Sequence, residues 1–184
     1  MRIAIVIGHK KDSPGAVNVS RNLTEFDYNQ AMAKKIKEIC DFKYQDNLGN
    51  PEDEIVIVYR DTYKGLPDKI DALNPKFIIS LHCNAFNKKA SGSEVLYYVT
   101  SKKGKQMAEI IQKQFVKTLG LPDRGTLPRD TEDRGGYLLR YTNAPCVIAE
   151  PFFIDNDNDL SKGIPNAALA EAYVRAIREI RGLF

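Results

Sequence analysis

The stretch Ile78–Phe86, IISLHCNAF, is an apolar run that stops at a histidine and an asparagine. Extended back to Phe77 it reads FIISLH, a short run rich in β-branched residues, which marks a buried strand. The chain holds two histidines, and the other, His9, stands in a near copy of this setting, IAIVIGHKKD, after an apolar run from Arg2 to Gly8. Both histidines therefore fall where a strand runs out.

Working outward, EIVIVYR from Glu54, EVLYYV from Glu94 and CVIAE ending at Glu150 complete a set of five expected strands. Between them lie helical patterns. Tyr28, Met32, Ile36 and Ile39 recur at helical period, as do Met107, Ile110, Ile111, Phe115 and Leu119, and later Leu169, Tyr173, Ile177 and Ile180. A short helix is expected in GLPDKIDALN from Gly65, and Thr24 with Asp27 has capping-box-like spacing ahead of the first long helix. Lys10 to Leu23, Asp41 to Asp53 and Gly120 to Gly136 are polar and carry Gly or Pro, so they read as connections, the last as a long surface loop. Strands alternating with helices predict an α/β fold: a single domain with a mostly parallel twisted sheet and helices on both faces.

The 184 residues are 43% hydrophobic and 28% charged, the balance of an ordinary globular domain. A net charge of +3 suits an anionic partner, but scattered lysines give it equally, and no nucleic-acid partner is expected. Cys40, Cys83 and Cys146 are odd in number and form no CxxC pair, so buried free thiols are expected rather than a disulfide framework. No apolar run approaches membrane-spanning length, so no membrane insertion is expected. The N-terminal MRIAIVIG is too short for the apolar region of a secretory signal and reads as the first strand. The expectation is a protein made in the cytoplasm without a signal peptide, or a secreted one if a signal preceded this sequence.

In open α/β sheets, ligands gather beyond the carboxyl ends of the strands. Three strands deliver polar groups to that edge: His9 after the first, His82 ending the third and Glu150 ending the fifth. Glu25 joins them if it begins the first helix. Two imidazoles and a carboxylate are a catalytic zinc set with a fourth position open, and a further carboxylate would handle protons. Each residue also has a plainer reading, as a hydrogen-bonded loop histidine or a helix-initial glutamate facing the positive end of its helix. Convergence on one edge favours the site. Cys83 should point to the face opposite His82 and belong to the core. GHKKDSPGA matches neither GxGxxG nor GxxxxGK[ST], which argues against a phosphate cradle.

These pieces resemble a known family. IGHKKDSPGAV, Thr24–Glu25, ISLHCNAF, SGSEVLYY, the DRG from Asp123 and YLLRYTNAPCVIAEPFFIDN look like the zinc-dependent N-acetylmuramoyl-L-alanine amidases of the autolysin and endolysin type, over essentially the whole chain. The resemblance implies one Zn²⁺ per chain held by His9, Glu25 and His82, with Glu150 as the catalytic glutamate. It implies a peptidoglycan substrate, cut at the amide between N-acetylmuramic acid and L-alanine. A separate wall-binding chain or domain is a possible partner, since the sequence carries no such module. Asn84, Arg124, Arg129 and Arg134 are candidates for bordering the substrate groove. The chain has GHKK where the family has GHGG, SLHCN for SLHAN and EPFF for E-x-GF, and none of these touches an implied ligand. Left open beside this are another zinc amide hydrolase, such as a carboxypeptidase, and a non-catalytic binding module on a flavodoxin-like sheet. Absence of a signal points to action on the bacterial wall after release, as by a phage endolysin or in mother-cell lysis.

Overall fold

The computed structural model describes residues 1–45, 54–164 and 167–184. The five expected strands form as β1 (Arg2–Ile7), β4 (Glu54–Tyr59), β5 (Phe77–Leu81), β6 (Ser93–Tyr98) and β8 (Cys146–Glu150), with a sixth, β7 (Asp123–Arg129), added at one edge. Their order is β4-β1-β5-β8-β6-β7. All neighbours run parallel except β6 and β8, which are antiparallel. The chain passes from β5 to β6 through residues 82–92 without a helix, so it turns back instead of crossing over.

β7 corrects the sequence reading, which made Gly120 to Gly136 a loop throughout. DRGTLPR has no alternation of buried and exposed positions, because an edge strand packs little of either face. Gly and Pro are tolerated there for the same reason. The expected loop Lys10 to Leu23 also holds a small antiparallel pair, β2 (Val17–Asn18) with β3 (Leu23–Thr24). The first helix, α1 (Glu25–Gln45), runs further than expected into the connection assigned to Asp41–Asp53; residues 46–53 lie outside those described.

Side chains alternate between the two faces of the sheet. Ile3, Ile5, Ile7, Ile79, Leu81 and Val147 face α1, α3 (Lys102–Leu119) and α6 (Ala167–Arg181), where the larger core lies. Ala4, Val6, Ile78, Leu96 and Ile148 face the other way, towards α2 (Leu66–Asp71) and α4 (Gly136–Tyr141). That second cover consists of two helices of six residues each, too little to close the face completely. A short α5 (Asp157–Gly163), capped by Asn156, follows β8. Among the described residues no helix is long and apolar enough to cross a membrane.

Candidate metal centre

Glu25 is the first residue of α1, and the chain before it is tied down to put it there. Its N–H donates to the Ala16 carbonyl at 2.8 Å, the Phe26 N–H donates to Pro14 at 2.9 Å, and the Thr24 hydroxyl accepts the Asp27 N–H. That last bond is the cap anticipated from sequence. The Glu25 carboxylate is fully buried and accepts the Ala16 N–H on Oε2 and the Cys83 N–H on Oε1.

Both histidines converge on the same carboxylate. His82 Nδ1 lies 3.0 Å from Oε1 and His9 Nε2 lies 3.2 Å from Oε2. The His82 contact is a hydrogen bond. At His9 the nitrogen is buried and within ion-pair distance of the carboxylate, with no hydrogen bond formed. Burial works to raise the Glu25 pKa, but the imidazoles of His82 and His9 outweigh it and hold the carboxyl well below the usual range.

Two glycines make this convergence possible. A Cβ on Gly8 would stand 2.6 Å from the His82 ring, and one on Gly15 would stand 2.5 Å from Glu25 Oε2 and 2.6 Å from the His9 ring. His9 itself has φ 67, a left-handed conformation uncommon outside glycine and frequent at functional sites.

One donor atom from each of His9, Glu25 and His82 can be chosen so that all lie within 4.8 Å of one another. A buried imidazole nitrogen without a hydrogen-bond partner, a second imidazole and an ionised carboxylate form a donor set of the kind that holds a metal ion such as zinc. Cys83 is buried in the larger core, as its position one residue past His82 requires, and stands outside this group.

Glu150 ends β8 on the same face of the sheet as His82, since Ser80 pairs with Ile148 and both residues lie two further on. It is 8% exposed and, among the described residues, its carboxylate has no hydrogen-bond partner. Burial pushes its pKa up; His82 opposes this, Glu25 and Glu94 add to it, and Arg134 opposes it.

The gap left by the sparse second cover is a cavity of about 520 Å³, with His9, His82 and Glu150 in its wall. Val6, Ser80, Leu96 and Ile148 line it from the sheet, and Leu66 and Leu138 from α2 and α4. Arg134, one of the groove candidates, lines it as well. Arg124 does not: its Nε donates to Glu94 at 2.6 Å. Asn84 is joined to the same carboxylate, donating from Nδ2 at 2.9 Å. Arg129 closes β7 two strands from β8, with its carbonyl taking the Val99 N–H, and is not among the cavity residues. Sequence reading passed over Ser80, Arg60 and Glu94. Ser80 stands two residues before His82 in a buried strand, and that spacing was a usable signal.

With this geometry in place, residues 3–179 match the family model described as N-acetylmuramoyl-L-alanine amidase. The chain is 26% identical over 180 residues to the N-acetylmuramoyl-L-alanine amidase LytC of Bacillus subtilis, covering 94% of this chain and 33% of that one. It thus spans about a third of that relative's length. The catalytic domain of CwlV, an N-acetylmuramoyl-L-alanine amidase of Bacillus (Paenibacillus) polymyxa var. colistinus, superposes with a TM-score of 0.81 at 25% identity, covering 100% of both chains. An N-acetylmuramoyl-L-alanine amidase of Clostridium difficile 630 superposes with a TM-score of 0.84 at 21% identity, over 97% of this chain and 95% of that one, and shares the fold.

Proposed function

The chain belongs to the N-acetylmuramoyl-L-alanine amidase family, and from that premise we propose that it hydrolyses the amide joining N-acetylmuramic acid to the L-alanine of the peptidoglycan stem peptide. The observation that carries the reading is the meeting of His9, Glu25 and His82 within 4.8 Å, beside an unpartnered Glu150 in the wall of one cavity.

In this reading His9, Glu25 and His82 hold one zinc ion. When bound there, zinc supplies Lewis acidity, polarising the scissile carbonyl and activating water for attack. Glu25 is kept ionised by its imidazole neighbours and two backbone N–H donors, so its charge is available at neutral pH. Glu150 takes the proton from the attacking water and returns it to the leaving amine. Its burial suits this, because raising the carboxyl above its ordinary range makes Glu150 a stronger base towards the water's proton. Gly8 and Gly15 leave room for the imidazole rings, and the ends of β1, β5 and β8 with the first turn of α1 hold the four side chains. The chain acts as a catalytic domain whose substrate is in the bacterial cell wall.

The test is to incubate the metal-loaded protein with purified walls, with and without chelator. Free amino groups of alanine should appear without new reducing sugar ends, and chelation should stop their release. Release of C-terminal amino acids instead would assign the chemistry to a carboxypeptidase.

A further inference from the structure

Two loops hold apolar side chains out in water. Among the described residues the most exposed large hydrophobics are Phe86, at 79%, and Val19, at 78%. Val19 opens the turn between β2 and β3, and Phe86 lies four residues past His82 in the segment that follows β5. Neither loop is loose. Asn18 Nδ2 donates to the Ile154 carbonyl and to Asp157, and its Oδ1 accepts the Arg21 N–H, which closes the turn under Val19. Asp155 accepts the N–H groups of Phe86 and Lys88, and Asn87 accepts those of Lys89 and Ala90. Both loops are thus pinned to the same short segment, residues 154–157. The backbone is spent on holding the two side chains outward, where neither packs against the core.

Cations follow each tip in the chain: Arg21 comes two residues after Val19, and Lys88 and Lys89 come two and three after Phe86. All three are exposed, and among the described residues their side chains form no hydrogen bond or ion pair. The two groups of cations are neighbours in space. The Asp157 carboxyl is held below its ordinary range first by hydrogen bonds from Asn18 and Ser20, and then by the charges of both Arg21 and Lys88. The carboxylates in this region are engaged with the loops themselves, Asp155 with backbone N–H groups and Asp157 with Asn18 and Ser20. Three cations therefore stand over two committed carboxylates, beside two apolar tips.

We propose that this surface docks the protein on an anionic lipid headgroup layer, with Phe86 and Val19 entering the layer and Arg21, Lys88 and Lys89 meeting its phosphates. This is adsorption at the headgroups and not a span. The shape selects the occupant. A protein partner needs roughly 800 Å² of closely packed surface, which two side chains on separate loop tips do not offer. A polyanionic polymer would answer the cations and leave the apolar tips in water, and valine gives a sugar no ring face to stack on. A headgroup layer closes around isolated projecting side chains and carries the opposite charge, so it satisfies both features at once. The net charge of +3 acts in the same direction.

The test is co-sedimentation with vesicles of phosphatidylglycerol and phosphatidylcholine in equal parts, against phosphatidylcholine alone, at low salt. The wild type should bind the anionic vesicles, stay in solution with the neutral ones, and be released as salt is raised. Phe86→Ser should lower the partition coefficient about tenfold, and Arg21→Gln, Lys88→Gln and Lys89→Gln together should lower it about a hundredfold. Unchanged melting temperatures show that these exposed positions leave the fold intact. The chain has no tryptophan, so Phe86→Trp is a single reporter. Its emission should move to the blue on adding anionic vesicles, whereas that of Val99→Trp, at the opposite edge of the sheet and 51% exposed in the wild type, should not. Binding to both vesicle types alike, partition that survives in the variants, or retention on purified walls with none on vesicles overturns the docking surface. No turnover enters any of these readouts, so they decide the surface whether or not the amidase reading holds.

Discussion

Glu94 stands directly across the antiparallel β6–β8 ladder from Glu150. Residues opposite each other in such a pair project to the same face, so two carboxylates share one small region. They are treated differently. Glu94 is held by Arg124 and Asn84, while Glu150 has no hydrogen-bond partner among the described residues. The first is bound up in side-chain contacts, and the second lines the cavity.

Glu150→Gln preserves size and removes the base. Turnover should fall by roughly 10²–10⁴, the usual loss when general acid–base help is withdrawn. Zinc content by elemental analysis should stay at that of the wild type. Loss of zinc along with activity would make Glu150 a ligand.

The same variant makes a stability prediction with a definite sign. Burial raises the folded pKa of Glu150 above its unfolded value. The folded protein then binds more protons than the unfolded chain, so wild-type stability falls as pH rises from the ordinary carboxylate range through the raised pKa. In chelator, Glu150→Gln should match the wild type at acid pH and become the more stable of the two as pH rises. Denaturant midpoints across that window check it. A constant difference at all pH values would show that Glu150 is not charged at a cost in the fold.

Glu25→Ala should damage the fold as well as the metal site. It leaves the Ala16 and Cys83 N–H groups without their acceptor and deprives the two imidazoles of the carboxylate between them. Removing one partner of a buried charged set costs about 3 kcal/mol or more. The measurement is the urea midpoint in chelator, where lost metal binding cannot contribute.

Gly15→Ala and Gly125→Ala separate conformational strain from collision. Both positions have positive φ, 80 and 84. A Cβ at Gly125 meets nothing within 4 Å, whereas at Gly15 it runs into Glu25 and His9. Gly125→Ala should cost about 1 kcal/mol and keep zinc; Gly15→Ala should lose zinc and activity. Equal effects in thermal melts and metal content would refute the packing argument.

All three cysteines are buried and none is in a disulfide. Burial pushes the Cys146 thiol up to about 12 and raises Cys83 well above its ordinary value. A thiol-disulfide exchange reagent at pH 8 should therefore react slowly with the native protein and quickly, at three sites, in denaturant.

How far the sequence reaches depends on how local each feature is. An apolar strand that stops at a polar residue is a property of neighbours in the chain, so β1, β5 and β8 and the placement of His9, His82 and Glu150 at their ends could be read directly. The helix start at Thr24–Glu25 was legible for the same reason, through its cap. β7 was not, because an edge strand buries too little to leave a pattern in DRGTLPR.

What only the tertiary structure decided are relations between distant segments. Glu25 meets the histidines because Gly8 and Gly15 let backbone and rings approach more closely than any side chain allows, and no local pattern records that distance. Arg134 faces the cavity while Arg124 is drawn into Glu94, although the two lie in one polar stretch, because the strand pairing of β6 with β7 and β8 sets which carboxylate each can reach. The cavity itself exists because two short helices cover a face that the sheet makes wider than they are. Strand ends are written residue by residue; the space between them depends on how the layers pack.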